Sequence, residues 1–394
     1  MKVLLLYDYP PPPGGLPTQG DLLLRGLREI GVEAFAANYE STLEKEWYYR
    51  WLHPDIVVGI GYWGHTPHII HHPQEFNLQP VPWLVADGFI ADHQQTLNSL
   101  PLMLVTSNWV KEVYIRDGLR GENIEVLPVG CDTDKFSPQS LQDPKVAAIR
   151  LMFGVHPDQI LILTVGGDGA SKGAQEVMTA LACLEEGSIA SSAKGQQGYR
   201  SHPDWKYVCK VWPQDRTILQ NRLDLELADS LGIADRVSYR TDRISRDIMP
   251  YLFAACDIYA APSRLEGFGM PQIEAGACEK PVLGIAAMAM LDTLVDGETA
   301  LLAGVAVENR ISEAIIPIEI GSQQTRRVKF DPPRIADYRA DVGQVRNFLE
   351  ALIDDPDLRR NLGNAARKHV VEHFDYRAVA RRFVEIVSRR LGVH

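Results

Sequence analysis

The feature that most constrains this chain is an alternation of short apolar runs with helix-like stretches along most of its length. The runs are rich in Val, Ile and Leu and have the length of buried strands, while the stretches between them have the periodicity of helices. This rhythm predicts βαβ units, and therefore parallel sheets with helices on both faces. In the first half it predicts strands at 3–7, 55–60, 83–86, 102–106 and 124–129, and helices at 18–30 and 109–117.

The alternation breaks between residues 128 and 157 and restarts at residue 160. Because 394 residues exceed one ordinary core, the break predicts two α/β domains with Rossmann-like sheets. Two segments interrupt the second half: 185–204, predicted to be a mobile loop, and 305–341, predicted to be an extra hairpin. The remainder, 342–391, is predicted to be helical. The strands predicted in the second half are 160–165, 207–211, 237–239, 257–260, 281–284 and 300–302.

Charge and composition narrow the classes of partner. The net charge of −11 disfavours nucleic acid and anionic lipid as main partners. No apolar stretch has the roughly 18 residues that a transmembrane helix needs. Five scattered cysteines without a CxxC pair are typical of free thiols in a reducing compartment. We therefore expect a cytoplasmic protein, with peripheral association at the inner membrane face left open.

The strongest functional signal is the segment 262–274, PSRLEGFGMPQIE, which lies between an apolar run and a helix-like stretch. Its glycines let backbone N–H groups approach a ligand, and the start of a helix favours a pyrophosphate. Glu266 and Glu274, the latter expected in the first helical turn, flank that anion site. Carboxylates accept hydrogen bonds and do not bind phosphate, so both are expected to bind sugar hydroxyls. The alternative is a helix start whose acidic residues only complement the dipole.

The spacing of Glu266 and Glu274 resembles the E-x7-E motif of family 4 retaining glycosyltransferases. Weaker likenesses to that family occur in the expected order along the chain, at 13–15, 105–111, 128–138 and 355–373. The resemblance implies a GT-B fold, in which two Rossmann-like domains face each other across a cleft and the last helix crosses back to the N-terminal domain. The implied division is an acceptor domain, 1–145 with about 376–394, and a nucleotide-sugar donor domain, 146–375.

The resemblance also implies a reaction. A hexose, glucose first, would move from UDP-glucose to a glycan, lipid or small-molecule acceptor, with retention of configuration and without a metal or other cofactor. Polysaccharide or glycoconjugate synthesis is the implied setting. Glu266 would hold the transferred sugar, Glu274 the ribose and Lys172 the leaving diphosphate. Other donor contacts are expected from Gly14, Gly15, Gly167, Arg243, Gly267, Phe268, Gly269 and Met270.

This chain departs from the family pattern at three places. Asp87 stands where the family has a catalytic-site His, and it is a candidate for binding hydroxyls or stabilising charge at the anomeric carbon; His93 is a weaker substitute. Gly167 replaces an arginine that helps to neutralise the diphosphate, so Lys172 would carry more of that role. The segment 286–292 replaces a Gly-Gly-x-Pro-Glu stretch. Two other functions stay open: a sugar-nucleotide epimerase of the same fold, and a non-catalytic nucleotide-sugar-binding protein.

Several of these residues are also compatible with purely structural roles. Lys172 is also compatible with a solvated loop lysine, and Asp87 with a turn cap. The sequence Asp132-Thr133-Asp134 has the form of a metal-binding DxD motif, but it is interpreted as a turn in the interdomain stretch. Two further clusters are more typical of structural positions than of zinc or sugar sites: the histidines His65, His68, His71 and His72, and the aromatic residues Trp47, Tyr48, Tyr49 and Trp51.

Overall fold

A computed structural model describes residues 1–86, 88–193, 202–213, 215–318 and 322–393. The chain forms two compact units, each built from separate stretches of sequence. Unit 1 comprises Met1–Asp132, Arg310–Ala336 and Glu372–His394. Unit 2 comprises Thr133–Asn309 and Asp337–Val371.

Unit 1 contains a six-stranded parallel sheet in the order β2-β1-β3-β4-β5-β6. The strand order reverses direction between β1 and β3, and open α/β sheets bind ligands at such a switch point. The strands are β1 Lys2–Tyr7, β2 Glu33–Asn38, β3 Ile56–Tyr62, β4 Pro80–Val85, β5 Met103–Val105 and β6 Ile124–Val126. The helices are α1 Gly15–Glu29, α2 Thr42–Leu52, α3 His72–Glu75, α4 Gln94–Ser99 and α5 Asn108–Arg116, with α14 Tyr376–Leu391 near the end of the chain.

The final helix, α14, packs against α1 within unit 1. A Cβ atom at Gly26 of α1 would lie 2.7 Å from the carbonyl oxygen of Tyr376, so this approach of the two helices requires glycine. The Arg25 guanidinium lies 4.9 Å from the centroid of the Tyr376 ring. The predicted return of the last helix to the N-terminal domain is confirmed.

Unit 2 contains a second six-stranded parallel sheet, in the order β12-β11-β10-β7-β8-β9. Read from β9, this is the order of dinucleotide-binding folds, with the switch point between β7 and β10. The strands are β7 Ile160–Val165, β8 Trp205–Lys210, β9 Val237–Arg240, β10 Ile258–Ala260, β11 Val282–Ile285 and β12 Ala300–Ala303. The helices are α6 Pro144–Met152, α7 Ala174–Ala193, α8 Asp215–Ser230, α9 Met249–Ala255, α10 Met270–Ala277, α11 Met290–Thr293, α12 Val342–Asp354 and α13 Pro356–His373.

The extra hairpin predicted at 305–341 is present as the pair β13 Val305–Pro317 and β14 Thr325–Ala340. Its distal part, Arg310–Ala336, belongs to unit 1. The first boundary between units falls after Asp132, where the predicted division placed it after residue 145. The Cys131 N–H donates to the Phe374 carbonyl (2.6 Å), and this bond joins the end of the first stretch to the residues before α14.

The structure corrects two other predictions made from the sequence. Strand β2 was not predicted, because its sequence EAFAAN lacks the run of branched residues by which the other strands were found. The loop predicted at 185–204 is wrong for 185–193, where α7 continues to Ala193; residues 194–201 lie outside the described residues. Among the described residues, no helix combines the length and apolar character required to cross a membrane.

Candidate active site

Two charged side chains meet at the switch point of unit 2. Lys172 lies in the turn after β7, and Glu266 lies in the loop after β10, the strand beside β7. The Lys172 ammonium donates to Glu266 Oε2, and each side chain is only 15% exposed. The fold therefore brings together two residues, 94 positions apart, that the sequence predicted to act on one donor.

Backbone geometry shapes the loop that carries Glu266. The Gly269 N–H donates to Glu266 Oε1 (3.2 Å). Gly269 has φ +91°, and a Cβ atom there would lie 2.3 Å from Met290 Cε, so the position requires glycine. The Glu266 N–H points to the sulfur of Met288 at 3.3 Å. The segment 286–292, which departs from the family pattern, therefore supports this loop.

Glu274 lies on α10, which begins at Met270. This start places Glu274 in the second turn, where the sequence predicted the first. Its side chain is 4% exposed and forms an ion pair with Arg246. Burial raises the pKa of the Glu274 carboxyl, and the Arg246 guanidinium partly opposes that shift. Arg246 was missed, while the predicted Arg243 is exposed three residues earlier in the same loop.

Arg264 is a second residue that the sequence did not single out, although it lies inside the 262–274 motif. Its Nε and Nη2 atoms donate to the two oxygens of Glu176 (3.1 and 3.0 Å). Its backbone N–H donates to the Ser171 carbonyl (2.9 Å). Arg264 thus joins the loop that carries Glu266 to the turn that carries Lys172, and an arginine inside the 262–274 motif was the signal available in the sequence.

The other predicted donor residues of unit 2 line the same loops. The Gly167 carbonyl accepts a hydrogen bond from the Trp212 N–H (3.1 Å). A Cβ atom at Gly167 would be 4.0 Å from the Trp212 ring, an ordinary contact, so crowding does not explain the missing arginine. Gly267 precedes the buried Phe268, and Met270 is the first residue of α10.

Unit 1 supplies the predicted glycine loop at its own switch point. Gly14 is the N-cap residue of α1 and follows the end of β1, and a Cβ atom at Gly15 would meet no other atom within 4 Å. Asp87 lies outside the described residues, so the structure leaves its predicted role untested. His93 precedes α4 in a left-handed conformation.

Neutral rings occupy the end of β3, beside the unit 1 switch point. His65 is buried, its Nδ1 accepts the Tyr62 N–H (3.2 Å), and its ring centroid lies 4.9 Å from that of Tyr39. Burial lowers the pKa of His65 to about 4. In the part of the chain that the structure describes, no three His, Cys, Asp or Glu side chains form a group that could hold a metal ion.

The DxD sequence and the aromatic cluster are the other two patterns that the sequence analysis singled out. Asp132 of the DxD sequence accepts a hydrogen bond from Arg25 Nη1 (2.9 Å). In the aromatic cluster, Tyr49 is buried, whereas Trp47 and Trp51 are 58% and 46% exposed. The cluster is therefore only partly the packed helix face that was predicted.

Residues 152–329 match the family described as glycosyl transferases group 1. The matched range is less than half of the 394-residue chain, and over that range the chain is similar to this family. The matched range includes Lys172, Glu266 and Glu274, so the similarity to the family extends over the candidate site. The resemblance to family 4 glycosyltransferases that the E-x7-E motif predicted is confirmed.

Two curated relatives and one solved structure illustrate the similarity. The D-inositol 3-phosphate glycosyltransferase of Mycolicibacterium smegmatis is 29% identical over 179 residues, which cover 45% of this chain and 36% of the relative. The MMP alpha-(1->4)-mannosyltransferase of Mycolicibacterium hassiacum is 23% identical over 335 residues, covering 82% and 65%. The matches thus span about one third to two thirds of these relatives.

The solved structure is that of Anabaena HepE in complex with UDP and glucose. It has a TM-score of 0.72 and 15% identity, and the alignment covers 99% of this chain and 100% of that one. At this identity the likeness is one of fold. With the two sheets described above, it confirms the predicted α/β fold of the GT-B type with two Rossmann-like domains.

Proposed function

We propose that this protein is a retaining glycosyltransferase that moves glucose from UDP-glucose to an acceptor hydroxyl. The observation that carries the proposal is the Lys172–Glu266 pair at the switch point of unit 2, inside the range that matches the glycosyltransferase family. An ammonium group suits a diphosphate, and a carboxylate suits sugar hydroxyls. The pair therefore offers one partner for each side of the bond that a nucleotide sugar breaks on transfer.

The proposed mechanism begins with an exchange of partners. The donor diphosphate binds the Lys172 ammonium, and the released Glu266 carboxylate accepts hydrogen bonds from hydroxyls of the glucose. As the bond from the anomeric carbon to the diphosphate breaks, negative charge grows on the leaving oxygen. A cation already in place stabilises that charge without reorganisation. The acceptor oxygen attacks from the face that the diphosphate leaves, its hydroxyl proton passes to the leaving diphosphate oxygen, and the configuration is retained.

Glu274 gives the nucleotide its second anchor. Its carboxylate is buried in α10, where only a strong hydrogen-bond donor compensates for the loss of water. In the free protein that donor is Arg246. We propose that the ribose hydroxyls replace part of this contact when the donor binds. Arg246, which is 37% exposed, then remains solvated or turns to the phosphates.

The choice of UDP-glucose is supported by HepE, a fold neighbour whose structures contain UDP, glucose and UDP-glucose. The names of the two relatives indicate other chemistry, an inositol phosphate in one and mannose transfer in the other. The acceptor is therefore proposed only as a sugar, a polyol or a glycolipid. A role in polysaccharide or glycoconjugate synthesis, on the cytoplasmic side and with peripheral membrane association, belongs to the same proposal.

The test begins with calorimetric titration of UDP, GDP and ADP. UDP-glucose and GDP-mannose are then incubated with D-inositol 3-phosphate, mannose and glucose, and release of the nucleoside diphosphate is followed. The anomeric proton coupling of the product, measured by NMR, reports retention or inversion. A UDP-sugar epimer formed without UDP would favour the epimerase, and binding without any turnover would favour the non-catalytic protein. Failure of every nucleotide to bind would overturn the proposal.

We further propose that turnover needs no divalent metal, because Lys172 and the start of α10 neutralise the diphosphate. UDP-glucose turnover is expected to be unchanged in excess EDTA. Complete loss of turnover in EDTA, restored by Mn²⁺ or Mg²⁺, would contradict this expectation.

A further inference from the structure

One face of strand β14 is unlike the rest of the hairpin. Arg326, Phe330 and Arg334 recur at intervals of four residues, and side chains at even spacing lie on the same side of a strand. Arg327 lies on the opposite side and forms an exposed ion pair with Glu313. The two faces of the same strand therefore differ in what they contact.

Two residues of this face contact the segment 88–92, which joins β4 to α4. The Phe330 ring is buried, and its centroid lies 4.8 Å from that of Phe89. Arg326 forms an ion pair with Asp92 and donates to the Ala91 carbonyl (3.4 Å). All of these residues belong to unit 1.

The third residue, Arg334, acts on the same segment through a buried carboxylate. Its Nε donates to Asp117 Oδ1 (2.7 Å), and Asp117 Oδ2 accepts the Ile90 N–H (2.8 Å). The Asp117 side chain is 2% exposed and that of Arg334 13%. Next to it, Arg116 donates to the Gly88 carbonyl (2.7 Å). The Gly88 carbonyl and the Ile90 N–H, at the two ends of a three-residue stretch, are thus bound by Arg116 and Asp117.

An isolated two-stranded hairpin is marginally stable in water, and connecting loops are the least stable parts of a domain. The hairpin and the 88–92 loop therefore stabilise each other. The hairpin gains a buried ring and an ion pair, and the loop gains a fixed backbone. Since residues 88–92 follow Asp87 directly, a fixed loop here also fixes the chain on one side of that residue.

We propose that Arg334 is a positioning residue for the transfer reaction: through Asp117 it holds the 88–92 segment in its reactive arrangement. This inference rests on the proposed function and on the role at the anomeric carbon that the sequence predicts for Asp87. Donor affinity comes from unit 2 and does not depend on the hairpin. Loss of Arg334 therefore lowers turnover and leaves UDP affinity unchanged.

The experiment compares Arg334→Gln with Arg327→Gln, a matched change on the opposite face of β14. Hydrogen exchange of the peptide that contains Ile90 is measured by mass spectrometry. UDP-glucose turnover and UDP affinity are measured on the same samples. In Arg334→Gln we expect hydrogen exchange of the Ile90 peptide to become about tenfold faster and UDP-glucose turnover to become about tenfold slower. A tenfold effect is the size of one lost charge-assisted hydrogen bond. UDP affinity stays within about twofold, and Arg327→Gln matches the wild type in all three measurements.

Arg334→Lys keeps the charge but loses the planar fork, and it is expected to fall between the wild type and Arg334→Gln. Unchanged exchange in Arg334→Gln would overturn the contact. Faster exchange with unchanged turnover would overturn the role of Arg334 in the reaction. A parallel loss of UDP affinity would overturn the claim that the effect of Arg334 is limited to unit 1. A wild type that neither binds UDP nor consumes UDP-glucose overturns the proposed function instead, and the exchange measurement still decides whether Arg334 holds the loop.

Discussion

The two units have sheets of similar construction, but the side chains that lie at their switch points differ. In unit 2, the loops at the carboxyl ends of the strands and the helix α10 carry charged side chains that pair with one another, Lys172 with Glu266 and Arg246 with Glu274. In unit 1, the corresponding ends of β1 and β3 carry the Gly14–Gly15 turn and the neutral ring of His65.

This difference shows that the architecture provides a place for a ligand and the loops decide which ligand it is. Paired charges in unit 2 satisfy each other until a ligand offers both an anion and hydroxyl groups, as a nucleotide sugar does. Uncharged rings and a bare glycine turn suit a neutral polyhydroxyl compound, whose apolar faces pack on rings. The proposed assignment of the donor to unit 2 and the acceptor to unit 1 follows from this contrast.

The largest effect is expected from Glu266→Gln. The amide still accepts a hydrogen bond, but it loses the charge that stabilises the sugar as positive character develops at the anomeric carbon. We expect kcat for UDP-glucose to fall by about 10² to 10³-fold, the range for loss of one preorganised electrostatic partner. UDP affinity is retained or increases, because Lys172 no longer has Glu266 as a competing partner.

Steady-state kinetics and calorimetry with UDP check this prediction. Glu298→Gln, a change at an exposed glutamate of unit 2, is the control and keeps wild-type values. A Glu266→Gln variant that binds UDP poorly while its kcat is unchanged would reverse the roles given to the two glutamates.

The second effect concerns unit 1 and its neutral histidine. Because the pKa of His65 falls from 6.5 to about 4 on folding, the unfolded chain binds its proton first as the pH drops. The folded state is therefore expected to lose stability between pH 6.5 and about 4, by up to about 3 kcal/mol. Urea unfolding across this range gives the slope of stability against pH. His65→Gln should flatten that slope, whereas His156→Gln, at an exposed histidine, should leave it as it is; equal slopes in all three proteins would show that His65 titrates normally.

The third effect is expected from Lys172→Ala, which removes the cation of the unit 2 pair. Loss of one charge-assisted contact to the diphosphate costs about 1.5–3 kcal/mol. Both UDP affinity and kcat fall, unlike in Glu266→Gln, because the diphosphate is anionic in the ground state and more so as it leaves. Lys145→Ala, at an exposed lysine of unit 2, serves as the control in the same assays. Wild-type values for Lys172→Ala would mean that another cation binds the diphosphate.

The sequence predicted most of the strands because branched apolar runs buried on both faces leave a clear pattern. It missed β2 because alanines packed between helices carry little of that signal. The E-x7-E motif and the glycine turn were local patterns, and they led to Glu266, Lys172 and Gly15. The resemblance gave each of these residues a role before any contact was known.

The partners of those residues could not be predicted in the same way. Arg246 lies 28 residues before Glu274, and Arg334 lies 217 residues after Asp117. Such pairs depend on how the loops and the hairpin return to the sheet, which no local spacing encodes. Arg243 and Arg246 lie in the same loop, and only the fold distinguishes the exposed arginine from the one that meets Glu274.

The smallest effect is expected from Glu274→Gln, and it separates binding from stability. Burial raises the pKa of this carboxyl, so its ionised form lowers the stability of the folded chain. The amide relieves that cost, and the thermal midpoint is expected to stay the same or rise. UDP affinity should nevertheless fall by about 1–3 kcal/mol, because an amide oxygen is a weaker acceptor for the ribose hydroxyls. Ribose binding is equal in the ground and transition states, so KM rises and kcat changes little. Thermal melting, calorimetry with UDP and steady-state kinetics on one preparation decide the matter. If the midpoint drops together with UDP affinity, Glu274 is a structural partner of Arg246, and the ribose contact must be sought elsewhere in unit 2.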